Sequence, residues 1–551
     1  MAERKTFTGR IRQRRTKRSV RAIDLAARGL ITVGGLGTII AVTTVCVFLL
    51  WVVAPLFLSA SIQETARFSV PHSEVRPLHL EVDEYRTLVG TLLPNGTWQV
   101  VRADNGQAIA ERPLFDGTAP TAFAQVADKR DIVFGFADGS LKLASIASES
   151  RFLAEDELTE ALKKLVSGEI LAHETGIAQK TEQGEIRSQT LEVKVVEPAL
   201  DGVPGSAIQL VDEAISGENR VVATFAADGQ LRVHSLQASK NLLTDETTFA
   251  IDQTSVAPLP SNSAGPPRFL KLSGRGDQLY VVWPDGRLLR YSLADVSKPI
   301  LAEEFDLVED SSSTLERLQL LLGGTTLIAG DSKGQVTGSF LINVPADVPA
   351  GGVSDGRKLV TAHTLRGPAS AVTSLGMSSR TRMVAVGYAD GTARIFYVPS
   401  DSEVARWTVA DGRPVDHLLI AEKEDALFTS AEGTFIASSF EPRHPEASFR
   451  SLFLPVWYEG YEKPEYVWQS SGGSEDLEPK LSLVPLIFGT LKATFYCMLF
   501  GVPIAMFAAV YTSEFLHKRA RAKIKPTIEI MASLPSVVLG FLAALVFAPF
   551  V

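Results

Sequence analysis

Four hydroxyl side chains, Thr490, Thr494, Ser533 and Ser536, stand in or beside long apolar runs near the C-terminal end of the sequence. A hydroxyl in such a setting has two uses: it packs helices together as a small polar residue, or it offers a donor along a polar path. Lys492 lies in the same stretch. An intramembrane lysine is a functional group by default, but Pro485 would let the stretch from Leu481 to Thr490 lie along an interface and leave Lys492 to snorkel at the boundary. Elsewhere chemistry is sparse. The sequence has no GxxxxGK[ST], HExxH, GxSxG or EF-hand pattern. His72, His79, His234, His363, His417 and His444 lack ligand spacing and read as isolated structural or surface histidines. No catalytic residue, metal or cofactor is assigned.

The elements that must carry these groups fall into several units, since 551 residues exceed one ordinary domain. A content of 45% hydrophobic and 21% charged residues averages two very apolar ends with an ordinary middle, and a net charge of -9 does not point to a nucleic-acid partner. The two cysteines, Cys46 and Cys497, both lie in apolar runs, so the middle has no disulfide framework.

From Gly29 to Ala60 there is no charged residue, long enough for the roughly 20 apolar residues that cross a bilayer. A cleavable signal would have an apolar region of roughly 7–15 residues and a shorter basic stretch ahead of it. Leu58-Ser59-Ala60 only faintly resembles a cleavage site, so an uncleaved anchor is the preferred reading. Residues 1–28 carry Arg4, Lys5, Arg10, Arg12, Arg14, Arg15, Lys17, Arg18, Arg21 and Arg28 against Glu3 and Asp24. The positive-inside rule makes this arm cytoplasmic, the alternative being contact with nucleic acid or anionic lipid. A second apolar run spans Ala493 to Val510, with a start as early as Leu481 as the alternative, and a third runs from Ile530 to Val551. The loop between them, with His517, Lys518, Arg519, Arg521, Lys523 and Lys525 against Glu514, is also expected in the cytoplasm. The two basic clusters agree on a large external domain between the first two crossings.

That domain, residues 67–450, alternates short β-branched runs with turns. Asn95-Gly96, Asp138-Gly139, Asp228-Gly229, Asp285-Gly286, Lys333-Gly334, Asp390-Gly391 and Glu432-Gly433 each separate two strand-like runs, as tight hairpins require. Their glycines are spaced 43, 90, 57, 48, 57 and 42 residues apart, near the period of four-stranded propeller blades. The clearest unit runs Ala371 to Leu375, Met383 to Gly387, Thr392 to Tyr397 and Val404 to Val409. It resembles a WD40-type blade without the Trp-Asp dipeptide. An all-β propeller of about seven blades is expected. The long interval holds a helical insertion near 153–168 with Leu158, Leu162 and Leu165 on one face, an eighth blade being the competing account. The aromatic linker 451–480, with Trp457, Tyr458, Tyr461, Tyr466 and Trp468, reads as a headgroup-level anchor or as a surface for an external partner.

The segment from Glu478 to Thr494, the helix ending Tyr511-Thr512-Ser513-Glu514-Phe515, and the segment from Ile524 through Leu534-Pro535-Ser536-Val537 to Gly540 resemble the permease subunits of phosphate-uptake ABC importers of the Pst type. The resemblance covers about 90 residues, and related permeases for other solutes share the helical core. It implies that 481–551 begins an ABC permease domain in the cell's inner membrane. It further implies a second permease subunit, a separate ATP-binding subunit and an extracytoplasmic phosphate-binding protein as partners, besides membrane lipid. Thr490, Thr494, Ser533 and Ser536 would then be the substrate-path candidates, and the chain itself no enzyme. Such permeases carry a cytoplasmic coupling loop with a Glu-Ala-Ala pattern and a distal glycine. None precedes Val551, so the sequence is expected to be the front of a longer protein. The rival reading is a membrane-tethered propeller acting as sensor or assembly scaffold. The topology predicts that, in intact cells and with Cys46 and Cys497 replaced, an impermeant thiol reagent labels Asp228→Cys and spares Lys523→Cys; the reverse pattern would overturn it.

Overall fold

The computed structural model describes residues 18–72, 75–127, 129–197, 199–217, 219–240, 247–256, 259, 265–344, 353–410, 412–470, 478–532 and 536–547. It divides into two compact units, one holding most of residues 1–481 and the other 466–468 with 482–551. Helix α1, Arg18–Val53, runs into a 3-10 turn at Ala54–Phe57, where Pro55 ends the regular hydrogen bonding. The helix therefore begins eleven residues ahead of the uncharged run and takes in Arg18, Arg21 and Arg28.

The middle of the chain is a propeller. Among the described residues, six four-stranded antiparallel sheets lie within 79–113, 208–255, 269–306, 315–366, 372–408, and 417–441 joined by strand Ser61–Ser69. The expectation of about seven such blades is corrected to six. The sheet over 122–201 has seven strands, because strand Ser140–Phe152 runs on for 13 residues and pairs with Ile186–Val195 instead of turning back. The insertion occupies that sheet's outer part. A 3-10 turn at Glu155–Glu157 and the one-turn helix α2, Glu160–Lys163, bury Leu162 and Leu165 beside Ala178 and Ile186, with Leu158 at the edge. A two-residue strand, Leu200–Asp201, pairs with Ser140–Leu141.

The local cause of the repeat is the turn chemistry. All seven turn glycines have positive φ, and each turn joins the second and third strands of its sheet. The side chains of Asn95, Asp138, Asp228, Asp285 and Asp390 each accept from the backbone N–H two residues on, at 2.9–3.1 Å. At Gly391 the φ of 85° coincides with a close approach: a Cβ there would lie 1.6 Å from the Ala410 carbonyl oxygen. The ring closes when strand Ser61–Ser69 pairs with Thr434–Glu441, from Ser61 opposite Glu441 to Ser69 opposite Thr434. Apolar side chains fill the seams between successive sheets, as where Leu231, Leu272, Val281 and Trp283 meet.

After the ring come the one-turn helix α3, Phe449–Phe453, capped by Ser448, and then the second unit. That unit contains α4, Val484–Val510, continued by a π-turn to Phe515, then α5, Lys518–Ala532, and α6, Ser536–Leu542, with a π-turn to Phe547. The basic stretch expected as a loop is thus mostly the helix α5. Among the described residues two helical stretches, Arg18–Phe57 and Val484–Phe515, are long and apolar enough to cross a membrane; the third expected run is not one of them.

Within the ring, Arg290 is fully buried and pairs with Glu303 at 3.1 Å and Asp355 at 2.6 Å while donating to Gln278 and the Arg357 carbonyl. Removing it takes the ion-pair partner from buried Glu303 and leaves Asp355 only the longer ion pair with Arg357 at 3.8 Å. Arg290→Ala is expected to cost about 3–5 kcal/mol of stability, whereas Arg406→Ala, at a largely exposed pair with Glu403, is expected to cost about 0–1 kcal/mol. Chemical denaturation of the full chain checks both, and equal midpoint shifts would contradict the assignment.

Candidate functional site

Of the four hydroxyl positions, Thr490 and Thr494 share one face of α4, Ser536 opens α6 and is exposed, and Ser533 lies outside the described residues. Each threonine hydroxyl is already donating within its own helix, Thr490 to the Leu486 carbonyl and Thr494 to the Thr490 carbonyl, both at 2.8 Å. Among the described residues, Thr490 and Thr494 stand together on α4 and Ser536 stands on α6. Both threonines line an open groove with Gly489, Ala493, Cys497, Gly501 and Ala505, small residues at every fourth position. Such a face admits a second helix at close range. Lys492 sits more than one full turn inside α4, and the segment from Val484 to Thr490 ahead of it belongs to the same helix.

A second candidate is the axis of the propeller. The first strand of each blade and of the seven-stranded sheet contributes to a cavity of about 790 Å³. Hydrogen bonds order its two ends. Arg76, just ahead of strand His79–Val82, donates to the carbonyls of Thr373 at 3.1 Å and Asp416 at 2.8 Å, which lie at the starts of strands Val372–Met377 and His417–Ile420. At the far ends of the same set of strands, Lys129 donates to the Ile215 carbonyl, and Arg130 pairs with Glu422 at 3.1 Å and Glu81 at 3.3 Å. The Lys271–Asp212 pair, at 3.1 Å, lies along the wall.

Charge is distributed unevenly along this cavity. Arg317 follows a bulge between Leu315 and Arg317, which re-aims the strand. Its guanidinium donates to the Glu316 carbonyl at 2.7 Å. Burial, reinforced by the like charges of Arg76 and Arg268, pushes that group down to about 10. His417 is enclosed by the mouth, donating from Nε2 to the Pro77 carbonyl at 2.9 Å. Burial, then Arg76, lowers its imidazole to about 4, so it is neutral at pH 7. The other histidines are held singly, as His234 with Thr224 at 2.9 Å and His363 with Asp401 at 2.8 Å.

The aromatic linker is only partly available to a membrane or an external partner. Val456 and Tyr458 are buried, the Trp457 ring meets Phe340 edge-on at 6.0 Å, and Glu459 pairs with Arg382 at 3.0 Å while accepting from Thr326. This part of the linker is clamped to the ring, which corrects the headgroup-anchor reading for Trp457 and Tyr458. Tyr466 and Trp468 remain more than two-fifths exposed. Behind the clamp, burial and then Glu459 push the Glu478 carboxyl up to about 7.

No family model matches the chain. A stretch of 92 residues is 28% identical to the probable ABC transporter permease protein YqgH of Bacillus subtilis, covering 17% of this chain and 30% of that protein. A stretch of 68 residues is 37% identical to the phosphate transport system permease protein PstC 1 of Mycobacterium tuberculosis, and equally to that of Mycobacterium bovis, covering 12% of this chain and 20% of theirs. The chain thus spans less than a third of the length of these curated relatives. Among solved structures it is similar to the Cps50 (Swd1) β-propeller domain from Myceliophthora thermophila, with a TM-score of 0.43 at 10% identity, over 69% of this chain and 99% of that one. Raptor from Chaetomium thermophilum gives 0.41 at 10% identity, over 70% and 29%. The propeller assignment rests on the sheet topology and not on these scores.

The His417 shift carries a pH dependence. Its folded value, about 4, lies below the ordinary value near 6.5, so between the two the unfolded chain binds a proton that the folded chain refuses. Stability is fully present above about pH 6.5 and falls as pH drops toward 4, by an amount on the order of 1–3 kcal/mol after solvent screening. His417→Gln is expected to reduce the loss of stability in that window without abolishing it, since buried His234 is lowered to about 4 as well, read from denaturation midpoints at pH 5 and 7.5; an unchanged profile would contradict the shift.

Proposed function

We propose that this chain is a permease-type subunit of an ATP-driven importer, with inorganic phosphate as the substrate. The observation that carries the reading is the 37% identity to a phosphate transport permease over 68 residues. The long apolar α4 and the basic α5 of the second unit are consistent with it. In this reading the N-terminal arm and α5 face the cytoplasm and the propeller lies outside, an orientation that the two basic clusters favour. The small-residue face of α4 packs against a helix of the same domain or of a second permease subunit. Thr490, Thr494, Ser533 and Ser536 belong to the substrate path, where the two threonines would have to turn from their own carbonyls to serve as donors. Hydrolysis is assigned to a separate ATP-binding subunit, and delivery to an extracytoplasmic phosphate-binding protein.

A second reading, a tethered propeller serving as sensor or scaffold, is favoured by one observation: most of the described chain is a closed ring with a charged axial cavity. The gene encoding this chain, introduced into its own deletion strain, is expected to restore labelled-phosphate uptake only while the ATP-binding subunit is intact. Gly501→Leu, which blocks the close-approach face, is expected to reduce uptake at least tenfold. Restored uptake of another solute but never of phosphate would sink the substrate. Phosphate uptake unaffected by deletion of the gene would favour the sensor.

A further inference from the structure

The axial cavity holds five cationic side chains at Arg76, Lys129, Arg130, Lys271 and Arg317, and they are not equivalent. Arg130 and Lys271 each have a carboxylate within 3.3 Å, and Lys129 donates to a carbonyl at the far end. At the mouth, Arg76 and Arg317 donate only to backbone carbonyls, and among the described residues neither has a carboxylate within ion-pairing distance. The nearby acids are committed elsewhere. Glu316 is taken by Arg268 at 3.0 Å and by Thr314, and Asp416 accepts from the Glu432 backbone N–H at 2.8 Å. His417 beside them is neutral, and the Thr373 hydroxyl donates to the Val415 carbonyl.

Two guanidinium groups brought together in a partly enclosed mouth repel each other, and Glu316 and Asp416 offset that repulsion only from beyond ion-pairing distance. Their remaining N–H donors point to a ligand that supplies several acceptor oxygens and negative charge in a small volume. We infer that the mouth of the propeller cavity is a binding site for a small tetrahedral oxyanion of the phosphate or sulfate class, held between Arg76 and Arg317. Guanidinium forks match the oxygen spacing of such anions and bind them in bidentate fashion. The cavity's walls concentrate the field of the pair at the opening. The site is separate from the helical segment, so it stands whether or not the chain transports phosphate.

The test uses the full chain purified in detergent and titrated calorimetrically with inorganic phosphate and, separately, with sulfate. Saturable binding of at least one anion is expected. Arg76→Gln and Arg317→Gln are each expected to weaken it at least tenfold, and Arg317→Lys to weaken it less, because the charge stays and the fork is lost. Arg130→Gln, at the other end of the cavity, and Arg406→Gln, at a largely exposed pair outside it, are expected to leave it unchanged. Thermal melting of every variant reads folding independently, and should Arg317→Gln not fold, Arg76→Gln and Arg317→Lys carry the comparison. The inference is overturned if neither anion binds, if Arg76→Gln and Arg317→Lys bind as tightly as the parent, or if Arg130→Gln weakens binding equally. Binding of an acidic peptide in place of either anion would also overturn it.

Discussion

The pairing of strand Ser61–Ser69 with Thr434–Glu441 is the interaction on which the rest of the structure depends. It joins residues more than 360 positions apart and turns a row of sheets into a ring, so that the last sheet gains its fourth strand from the start of the domain. Radial repetition confines the strand edges to the inner and outer strand of each sheet. The closure also sets Ser61, a few residues beyond α1, directly opposite Glu441, a few residues before α3. The propeller therefore enters and leaves the chain at one place, and a domain with adjacent ends is accommodated as an insertion without demanding a span from its neighbours. Ordering so remote a pair is slow, since loop-closure entropy is lost before the contact forms.

Closure creates the axial cavity and with it the environment of Arg76. That side chain precedes the first blade, yet its acceptors, the carbonyls of Thr373 and Asp416, lie near the end of the ring. Opening the ring would separate Arg76 from its two acceptors and from Arg317, relieving the burial and the repulsion that together lower Arg317. The other end of the cavity is neutralised by Arg130 with Glu81 and Glu422. The ring thus holds a polarised axis: the ion pairs of Arg130 at one end and, at the other, two guanidinium groups that among the described residues have no carboxylate within ion-pairing distance. The clamp of Glu459 to Arg382 and Thr326 fastens the beginning of the linker to the same ring.

Much of this architecture was legible because its signals are local. Asp390-Gly391 and its counterparts mark turns whose positive φ and aspartate-to-backbone hydrogen bonds need only four residues to form. The strands expected around Asp390-Gly391 fall within two residues of those observed. The irregular sheet was not legible, because Ser140–Phe152 alternates like any strand and nothing local says that it will continue past its partner. Composition likewise cannot choose the burial partner of an aromatic: Trp457 and Tyr458 suit a headgroup layer and suit Phe340 and the ring equally well. Arg76 and Arg317 carried no sequence signal at all, for they become neighbours only through closure. Thr490 and Thr494 were found because polar groups stand out in an apolar run, but their hydrogen bonds to their own helix could not be read from spacing.

The closure itself can be measured directly. With Cys46 and Cys497 replaced, Gln63→Cys and Ser439→Cys place two thiols on directly opposed residues of the closing strands, at a separation of about 4.5–5.5 Å between Cα atoms that a disulfide can bridge. Mild oxidation of the full chain in its native state is predicted to cross-link this pair within the monomer, giving a shifted band that reductant reverses. The out-of-register pair Gln63→Cys with Thr434→Cys should stay reduced. Cross-linking of the two pairs to the same extent, or of neither, would contradict a ring closed in this register.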